Sequence, residues 1–374
     1  MKTVCVIGAG RIGESISELL LDSGDYQVRL ADHSDAQLQR IPTHPSLQTH
    51  RTDVGDTAAL QTLLDGTDAV INALPWNLTT PVAEAAARSG TAYFDMTEDV
   101  AATRAVSALA EGAESAFMPQ CGLAPGFVSV VAGALIERFD EPYSAMLRVG
   151  ALPRYPGNRL GYNLTWSPEG MVNEYCELCP GIVDGELREL APLTELHEFT
   201  LDGVRYESFN TSGGLGTLPY SRGPMLRHLR YQSIRYPGHA HIMRTLLEDL
   251  RLRERRDTLL DLLRNALPGT LQDVVVIYVT VIGKRDGTLM EESFVTRVHG
   301  GQVNATQRSA IQRVTAGGIC AMVDLYLSGR LPRRGLLRQE DVKLEEFLAN
   351  RFGAVYAGDT QPEARSIAPL RQSA

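Results

Sequence analysis

Three glycines near the start of the chain have the spacing of a phosphate-binding turn. Residues 4–7 are apolar, a G-x-G-x-x-G pattern follows, and the next residues carry apolar side chains at helical spacing. In a strand–turn–helix of this kind, the glycines permit the tight turn, the approach of a pyrophosphate and close helix–strand packing. The alternative is a tight turn in another α/β protein. The pattern favours a dinucleotide-binding turn formed by Gly8, Gly10, Arg11, Ile12 and Gly13.

An acidic residue ends the second apolar segment. Asp32 follows Gly13 by about 20 residues, where a carboxylate can accept hydrogen bonds from the hydroxyl groups of a ribose. Its negative charge repels a 2′-phosphate, and the next residues are His33 and Ser34 rather than an arginine. We therefore predict NAD rather than NADP as the cofactor.

Further candidate cofactor contacts follow the later apolar segments. In an open α/β sheet, ligands bind beyond the carboxyl ends of the strands. Asp53 and Val54 follow the third segment, where we expect contact with adenine. The exits of the fourth and sixth segments are predicted to face the nicotinamide half through Asn72, Ala73, Leu74, Cys121 and Gly122. Cys121 could also be a nucleophile, but no nearby histidine marks an activating base, so the sequence favours packing of this side chain.

Asp95 ends the fifth predicted strand on the nicotinamide side. A carboxylate at this position can accept a proton while hydride leaves a substrate. The alternative is a helix N-cap, because Asp95 and Thr97 precede a helical run. The sequence leaves both roles open.

Three polar clusters in the second half of the chain are candidates for substrate binding. They lie at residues 162–170, 208–214 and 233–239, and each combines an aromatic side chain, a hydrogen-bonding side chain and a glycine. Arg235 can bind a carboxylate through two parallel hydrogen bonds, and His239 can serve as an acid or base. Each is more often structural when taken alone. Opposite a nicotinamide, they indicate a zwitterionic substrate contacted by Tyr162, Asn163, Trp166, Glu169, Asn210, Thr211 and Arg235.

The predicted elements that position these residues fall into two domains. Strands alternate with helices over residues 1–125, which predicts an α/β fold with a Rossmann-type doubly wound parallel sheet. Residues 126–304 predict an α+β substrate-binding and dimerisation domain with a mostly antiparallel sheet and a hairpin turn at residues 284–287. One helix is predicted over residues 239–263, with a solvated face at residues 251–257. A long helix is predicted at residues 305–328, and residues 341–374 are expected to be a peripheral tail.

Composition narrows the classes of function. The chain has 374 residues and a net charge of −9, which disfavours nonspecific binding to nucleic acid or an anionic membrane. Its five cysteines are odd in number and scattered, which is typical of a reduced, cytoplasmic protein. Cys176 and Cys179 form a C-x-x-C without a second pair, so we predict packing rather than a metal site. No apolar run reaches the ~18 residues of a membrane span, and the chain opens directly on the first strand, which leaves no room for a signal peptide.

These motifs resemble the saccharopine dehydrogenase-like superfamily, and within it the lysine 6-dehydrogenases. Besides the glycine turn, the resemblance rests on the sequences at residues 70–74, 119–126, 149–153, 162–170, 209–214 and 234–239. The runs Cys-Gly-Leu-Ala-Pro-Gly and Asn-Thr-Ser-Gly-Gly are the more specific ones. The resemblance implies NAD-linked oxidative deamination of the terminal amine of L-lysine or a close diamino acid. It also implies a homodimer or larger homo-oligomer, and a last long helix, about residues 305–340, that returns to the nucleotide domain.

For such a substrate, we expect Arg235 to bind the α-carboxylate and Glu169 or Asn163 the α-amine, with Asp95 or His239 moving the proton. No lysine lies between Lys2 and Lys284, so a lysine base or Schiff base is not expected. Two alternatives stay open. One is reductive condensation of an amine with a keto acid or aldehyde, as in saccharopine or carboxyspermidine dehydrogenases. The other is a catalytically silent NAD-binding sensor.

Overall fold

The first part of the chain alternates strands and helices, as the sequence predicts. The computed structural model describes residues 1–303 and 306–358. In chain order, the elements are β1 (Lys2–Ile7), α1 (Arg11–Asp22), β2 (Tyr26–Asp32), α2 (Asp35–Leu38), β3 (Leu47–Arg51), α3 (Thr57–Leu64), β4 (Ala69–Asn72), α4 (Thr79–Ser89), β5 (Ala92–Asp95), α5 (Val100–Ala110) and β6 (Ala116–Met118).

The second part is dominated by strands. Its elements are α6 (Phe127–Ile136), β7 (Glu141–Pro153), α7 (Pro168–Cys176), β8 (Cys179–Val183), β9 (Glu186–Leu190), β10 (His197–Leu201), β11 (Val204–Asn210), α8 (Leu218–Ser221), β12 (His228–Arg235), α9 (His239–Arg244), α10 (Arg256–Ala266), β13 (Asp273–Arg285), β14 (Thr288–His299), β15 (Gly301–Val303) and β16 (Thr306–Arg308). The chain then forms α11 (Ala310–Leu327), β17 (Gly335–Leu336) and α12 (Leu344–Ala349).

Two sheets organise the molecule. The first is parallel in the order β17-β6-β5-β4-β1-β2-β3. Residues 4–7 of β1 and 69–71 of β4, at the centre of the sheet, are apolar and buried, as a parallel sheet covered on both faces requires. The second has the order β10-β11-β12-β7-β13-β14, with β8 pairing β12 and β9 pairing β8. Its strands are antiparallel except for the parallel pair β7–β12. This α/β architecture confirms the predicted fold class.

The predicted hairpin is present, but the predicted helix over residues 239–263 is wrong. Asp286 and Gly287 have positive φ between the paired ends of β13 and β14. The helix instead breaks at Arg251, whose φ is +53°. Leu252 is buried and Arg253 donates a hydrogen bond to the Cys176 carbonyl at the end of α7. The segment 251–257 is therefore not a purely solvated face. Its contacts with α7 stabilise the break in the predicted helix.

The last long helix lies against the nucleotide-binding domain. It begins later than predicted, because Ser309 caps it in a capping box with Gln312 and residues 306–308 form β16; residues 304 and 305 lie outside the described ranges. The Cys320 Sγ of α11 lies 3.9 Å from the Ile16 carbonyl of α1, and Tyr26 donates a hydrogen bond to Asp324. The helix α11 therefore packs against the elements of the first sheet.

The segment that follows α11 is not peripheral as far as the structure describes it. Phe347 and Tyr356 are fully buried, and the Tyr356 ring stacks on Phe127 with a centroid distance of 3.9 Å. These aromatic side chains pack against α6. The sequence analysis did not predict this packing, because it took the segment for a polar, peripheral tail. The rest of the predicted tail, residues 359–374, lies outside the described residues. No helix in the described ranges is both long and apolar enough to cross a membrane.

Candidate active site

A cavity of about 1010 Å³ lies between the carboxyl edge of the first sheet and the second domain. Both domains contribute side chains to its wall. The nucleotide-binding side includes Gly10, Arg11, Ile12, Asn72, Ala73, Leu74, Asp95, Glu98 and Gly122, and the opposite side includes Trp166, Glu169, Glu174, Tyr231, Ser233 and Arg235. The cleft therefore brings the predicted cofactor turn and a group of polar side chains into one space.

The glycine turn fits a dinucleotide phosphate. Gly8 has a φ of +107°, and a Cβ on Gly13 would lie 1.8 Å from the Gly8 carbonyl oxygen, so both positions need glycine for the turn itself. A Cβ on Gly10 would meet no atom within 4 Å. The space above Gly10 is therefore open for a ligand, at the N-terminus of α1, where free N–H groups favour an anion.

Asp32 is held at the edge of this turn. Its carboxylate accepts hydrogen bonds from the Ala9 N–H at 2.7 Å and the Ser34 N–H at 2.8 Å. This fixes a negative charge beside the predicted ribose position. Asp53 is exposed and accepts a hydrogen bond from the Gly55 N–H, and Val54 is buried behind it. Neither lines the cavity, so their contact with adenine stays a prediction.

Cys121 is buried in packing, as the sequence favoured, and does not line the cavity as its predicted cofactor contact requires. The sulfur atom lies 3.0 Å from the Met118 carbonyl and accepts a hydrogen bond from the Gln339 side chain. Burial raises the pKa of this thiol well above its usual value. Cys121 also does not line the cavity, whereas Gly122 does. The cysteine therefore packs beneath the wall, and neither a nucleophilic role nor a direct side-chain contact with the cofactor fits its position.

Asp95 connects the exits of two neighbouring strands. Its carboxylate accepts hydrogen bonds from the Thr97 N–H at 3.0 Å, the Gln120 N–H at 2.9 Å and the Tyr93 hydroxyl at 2.9 Å. Gln120 has a φ of +66°, and this contact helps to hold it there. Burial raises the pKa of Asp95 to about 6. These bonds assign Asp95 to shaping the strand exits, while Asp99 caps α5; proton transfer by Asp95 stays a prediction.

Arg235 is buried at the far wall of the cavity. Its Nε donates a hydrogen bond to the Tyr175 hydroxyl at 2.8 Å, and one terminal nitrogen donates to the Ile234 carbonyl at 2.8 Å. The guanidinium lies over the ring of Tyr162 at 5.2 Å. Among the residues that the structure describes, no carboxylate forms an ion pair with Arg235. The guanidinium can therefore bind an anionic group of a ligand.

His239 supports this arginine instead of facing the cavity. One ring nitrogen lies 2.9 Å from the Leu160 carbonyl, and the other lies 3.0 Å from the Tyr175 hydroxyl. Because only a protonated Nδ1 can donate to that carbonyl, Nε2 of the neutral ring accepts a hydrogen bond from the Tyr175 hydroxyl. Burial, with the nearby charge of Arg235, lowers the pKa of His239 to about 3. The expectation that His239 is an acid or base is therefore wrong: it is buried, neutral and outside the cavity wall.

The other predicted substrate contacts divide into two groups. Trp166 and Glu169 line the cavity, and Glu169 forms an ion pair with Arg264 at its exposed rim. Four residues lie behind the wall: Tyr162, Asn163, Asn210 and Thr211. Their hydrogen bonds are internal, for example between Thr211 and Ser233 and between Asn210 and Gln232. The structure therefore assigns these four a supporting position rather than direct contact.

Two glutamates that the sequence analysis did not select face the same cavity. Glu98 follows β5, and Glu174 lies on α7. In the sequence, Glu174 looks like any other acidic residue of a helix. The position of Glu98 after a strand exit was a usable signal. Glu174 gave no such signal, because its exposure to the cavity depends on how α7 packs on β12.

The fold and the cleft are those of a two-domain NAD(P)-binding protein. The family model for the saccharopine dehydrogenase NADP binding domain matches residues 4–117, and the model for the saccharopine dehydrogenase C-terminal domain matches residues 122–352. The chain therefore belongs to the saccharopine dehydrogenase family of oxidoreductases, as the sequence motifs indicated.

Individual relatives are distant. The chain is 25% identical over 180 residues to the NADP⁺-dependent, L-glutamate-forming saccharopine dehydrogenase of Saccharomyces cerevisiae, covering 46% of this chain and 40% of that protein. It is 23% identical over 193 residues to the mitochondrial alpha-aminoadipic semialdehyde synthase of Rattus norvegicus, covering 50% of this chain and 21% of that protein. The matches thus span less than half of either relative.

Solved structures share the fold over almost the whole chain. The apo L-Glu-forming saccharopine dehydrogenase of Saccharomyces cerevisiae has a TM-score of 0.76 at 17% identity, covering 93% of this chain and 97% of that one. The homospermidine synthase of Legionella pneumophila, solved with NAD, has a TM-score of 0.67 at 11% identity, covering 100% and 95%. At these identities, the likeness concerns architecture alone.

Proposed function

We propose that this protein oxidises the terminal amine of L-lysine, or of a close diamino acid, with NAD⁺. The balanced reaction converts R–CH₂–NH₃⁺, water and NAD⁺ into R–CHO, NH₄⁺, NADH and H⁺. The aldehyde can then cyclise with its own α-amine. The nicotinamide, when bound, supplies the hydride acceptor.

The observation that carries this proposal is the composition of the cavity wall. The glycine turn and the strand exits lie on one side, and on the other lies a buried guanidinium that forms no ion pair with any described residue. Arg235 can hold the α-carboxylate, because a bidentate arginine–carboxylate pair fixes both position and orientation. Holding one end of the substrate in this way presents its other end to the cofactor, and such positioning lowers the barrier to reaction.

The side chains on the wall also limit the chemistry. The described residues that line the cavity include no lysine, and Lys284 is ion-paired with Glu141 in the β13–β14 hairpin. A covalent Schiff base between enzyme and substrate is therefore not part of the proposal. Attack on the substrate iminium is left to water, which releases ammonia.

The test is a spectrophotometric screen of amino acids and diamines for NADH formation, with NADP⁺ in parallel. We expect L-lysine or a near homologue to give the highest kcat/KM. Failure of every amine to reduce NAD⁺, with cofactor binding retained, would contradict the proposal and favour an NAD-binding sensor.

The size of the cavity favours a second candidate, the reductive condensation of an amine with a keto acid or aldehyde. A volume of about 1010 Å³ reaches the upper end of the ~300–1,000 Å³ typical of small-molecule sites. It can hold the nicotinamide half with a substrate larger than lysine. Consumption of NADH or NADPH only when an amine and a keto acid are both present would identify this activity.

A further inference from the structure

Two glutamates from different elements line the same cavity. Glu98 lies in the loop after β5, and Glu174 lies on α7. An ideal Cβ on Gly170, one helical turn before Glu174, would lie 2.9 Å from Oε1 of Glu98. The absence of a side chain at Gly170 therefore brings the Glu98 carboxyl against the helix that carries Glu174.

One oxygen of this pair is buried without a partner. Glu174 is 8% exposed, and its Oε2 atom has no hydrogen-bond partner among the described residues. An unpaired buried carboxylate oxygen is costly unless a cation or a donor satisfies it. Because Glu174 lines the cavity, a ligand can supply that donor.

The charges around the pair support the same conclusion. Burial raises the pKa of both carboxyl groups; Asp99 raises that of Glu98 further, and Glu98 raises that of Glu174. Arg235, on β12, opposes the shift at Glu174. Tyr231, also on β12, faces the same carboxyl groups with a hydroxyl whose own pKa burial raises well above its usual value. Two carboxyl groups that repel each other tend to share one proton, which then belongs to the pair.

We propose that Glu98 and Glu174 form a two-carboxyl site that holds the reacting amine of the substrate and accepts its proton. This deepens, and rests on, the proposed amine oxidation. Binding of R–CH₂–NH₃⁺ expels the proton that the pair shares. One N–H bond then breaks and one O–H bond forms: R–CH₂–NH₃⁺ and a glutamate carboxylate give R–CH₂–NH₂ and a glutamic acid. The lone pair freed on nitrogen is what hydride loss from the adjacent carbon requires.

An organic ammonium fits this site better than a metal ion. Hard divalent cations take six or more oxygen ligands, and the described residues include no group of three or more His, Cys, Asp and Glu side chains placed to hold one. Because Arg235 and the two carboxyl groups line the same cavity, it matches a ligand that carries both a carboxylate and an amine.

The test measures binding and proton release separately from turnover. The full chain is saturated with NADH, which prevents oxidation, and titrated calorimetrically with L-lysine, L-ornithine and 1,5-diaminopentane in buffers of different ionisation enthalpy. L-norleucine, which lacks the terminal amine, serves as the reference ligand. We expect a terminal amine to bind with proton release, and Glu174→Gln to abolish that release and weaken binding about 30-fold or more. Norleucine affinity should stay unchanged.

Glu98→Gln should also suppress proton release, because a single carboxyl group no longer shares a proton. The matched control is Glu186→Gln, on exposed β9, which should behave as the wild type. Retained NADH affinity shows that each variant is folded. Wild-type amine affinity and proton release in both cavity variants, or no binding of any amine, would overturn the two-carboxyl site.

The same measurements distinguish the two proposals. If amines bind with proton release but none reduces NAD⁺, the proposed oxidation is refuted and the two-carboxyl site is retained. If Glu98→Gln and Glu174→Gln both oxidise lysine with an unchanged pH profile, the two-carboxyl site is refuted and the proposed oxidation is retained.

Discussion

Removal of a single hydroxyl group tests whether Arg235 is the carboxylate clamp. In Tyr175→Phe, the guanidinium Nε loses an acceptor at 2.8 Å, and His239 loses a donor at 3.0 Å. Both groups are buried, with exposed fractions of 2% for Arg235 and 1% for His239, so water does not readily replace the hydroxyl. The arginine is then free to turn away from the cavity.

The size of the effect follows from the charge on the arginine. A hydrogen bond to a charged group contributes about 1.5–3 kcal/mol, which corresponds to roughly 10- to 150-fold in affinity. The α-carboxylate does not change during the reaction, so the clamp binds ground state and transition state alike. The loss should therefore appear mainly as a higher KM for the carboxylate substrate, with kcat changed much less.

The assay compares kcat/KM for L-lysine and for 1,5-diaminopentane, which has the same amine but no carboxylate. Tyr175→Phe should reduce the preference for lysine, because only lysine uses the clamp. The control is Tyr356→Phe, which also loses a buried hydroxyl, bonded to the Val314 carbonyl at 2.7 Å, but lies outside the cavity wall. An unchanged lysine preference in folded Tyr175→Phe would refute the clamp.

Four further predictions follow from individual contacts. Gly10→Ala should fold normally, because the added Cβ meets no protein atom, but it should lose cofactor affinity, because the Cβ occupies the space open for the phosphates. Gly13→Ala should instead destabilise the fold through contact with the Gly8 carbonyl. Thermal melts and NADH titrations separate the two effects. NADH should bind more tightly than NADPH, and Asp32→Ala should narrow the difference in fluorescence titrations, because the charge that repels a 2′-phosphate is removed. The free energy of unfolding should fall as pH drops from about 6.5 towards 3, since unfolded His239 binds a proton that the folded state excludes; His239→Gln should lose part of that dependence in denaturant melts. Asp95→Asn separates the two roles of Asp95: loss of a general base should lower turnover by ~10²–10⁴-fold, whereas loss of a shaping carboxylate should lower it less, because an amide oxygen can still accept the two backbone bonds.

The nucleotide-binding half was predictable because its signals are local. The glycine turn, the acidic end of β2 and the strand exits each depend on a few adjacent residues, and the parallel sheet follows from their alternation with helices. The return of α11 to this domain was expected, and the family resemblance implied it as well. The buried positions of Phe347 and Tyr356 were missed, because their partners, such as Phe127, lie more than 200 residues earlier in the chain.

The substrate side was predictable as a region but not residue by residue. Arg235 was selected for its chemistry and does line the cavity, whereas His239, only four positions later, lies behind the wall. The difference arises because β12 ends at Arg235 and α9 begins at His239. Glu174 faces the cavity from a third element, so the carboxyl pair exists only once α7, β12 and the loop after β5 have packed together.

Two glycines of the second-domain motifs are explained by side-chain packing, whereas Gly213 and Gly238 have the positive φ of a turn. Gly170 lies inside α7, and a Cβ there would come within 2.3 Å of the Trp166 ring as well as close to Glu98. A Cβ on Gly214 would similarly lie 2.3 Å from the Tyr231 ring. Neither residue has the positive φ that would require glycine for backbone reasons. Their role is to leave space for the side chains that form the cavity wall, so a methyl group at Gly170 should displace the carboxyl of Glu98 from Glu174 without any change in the residues that carry charge.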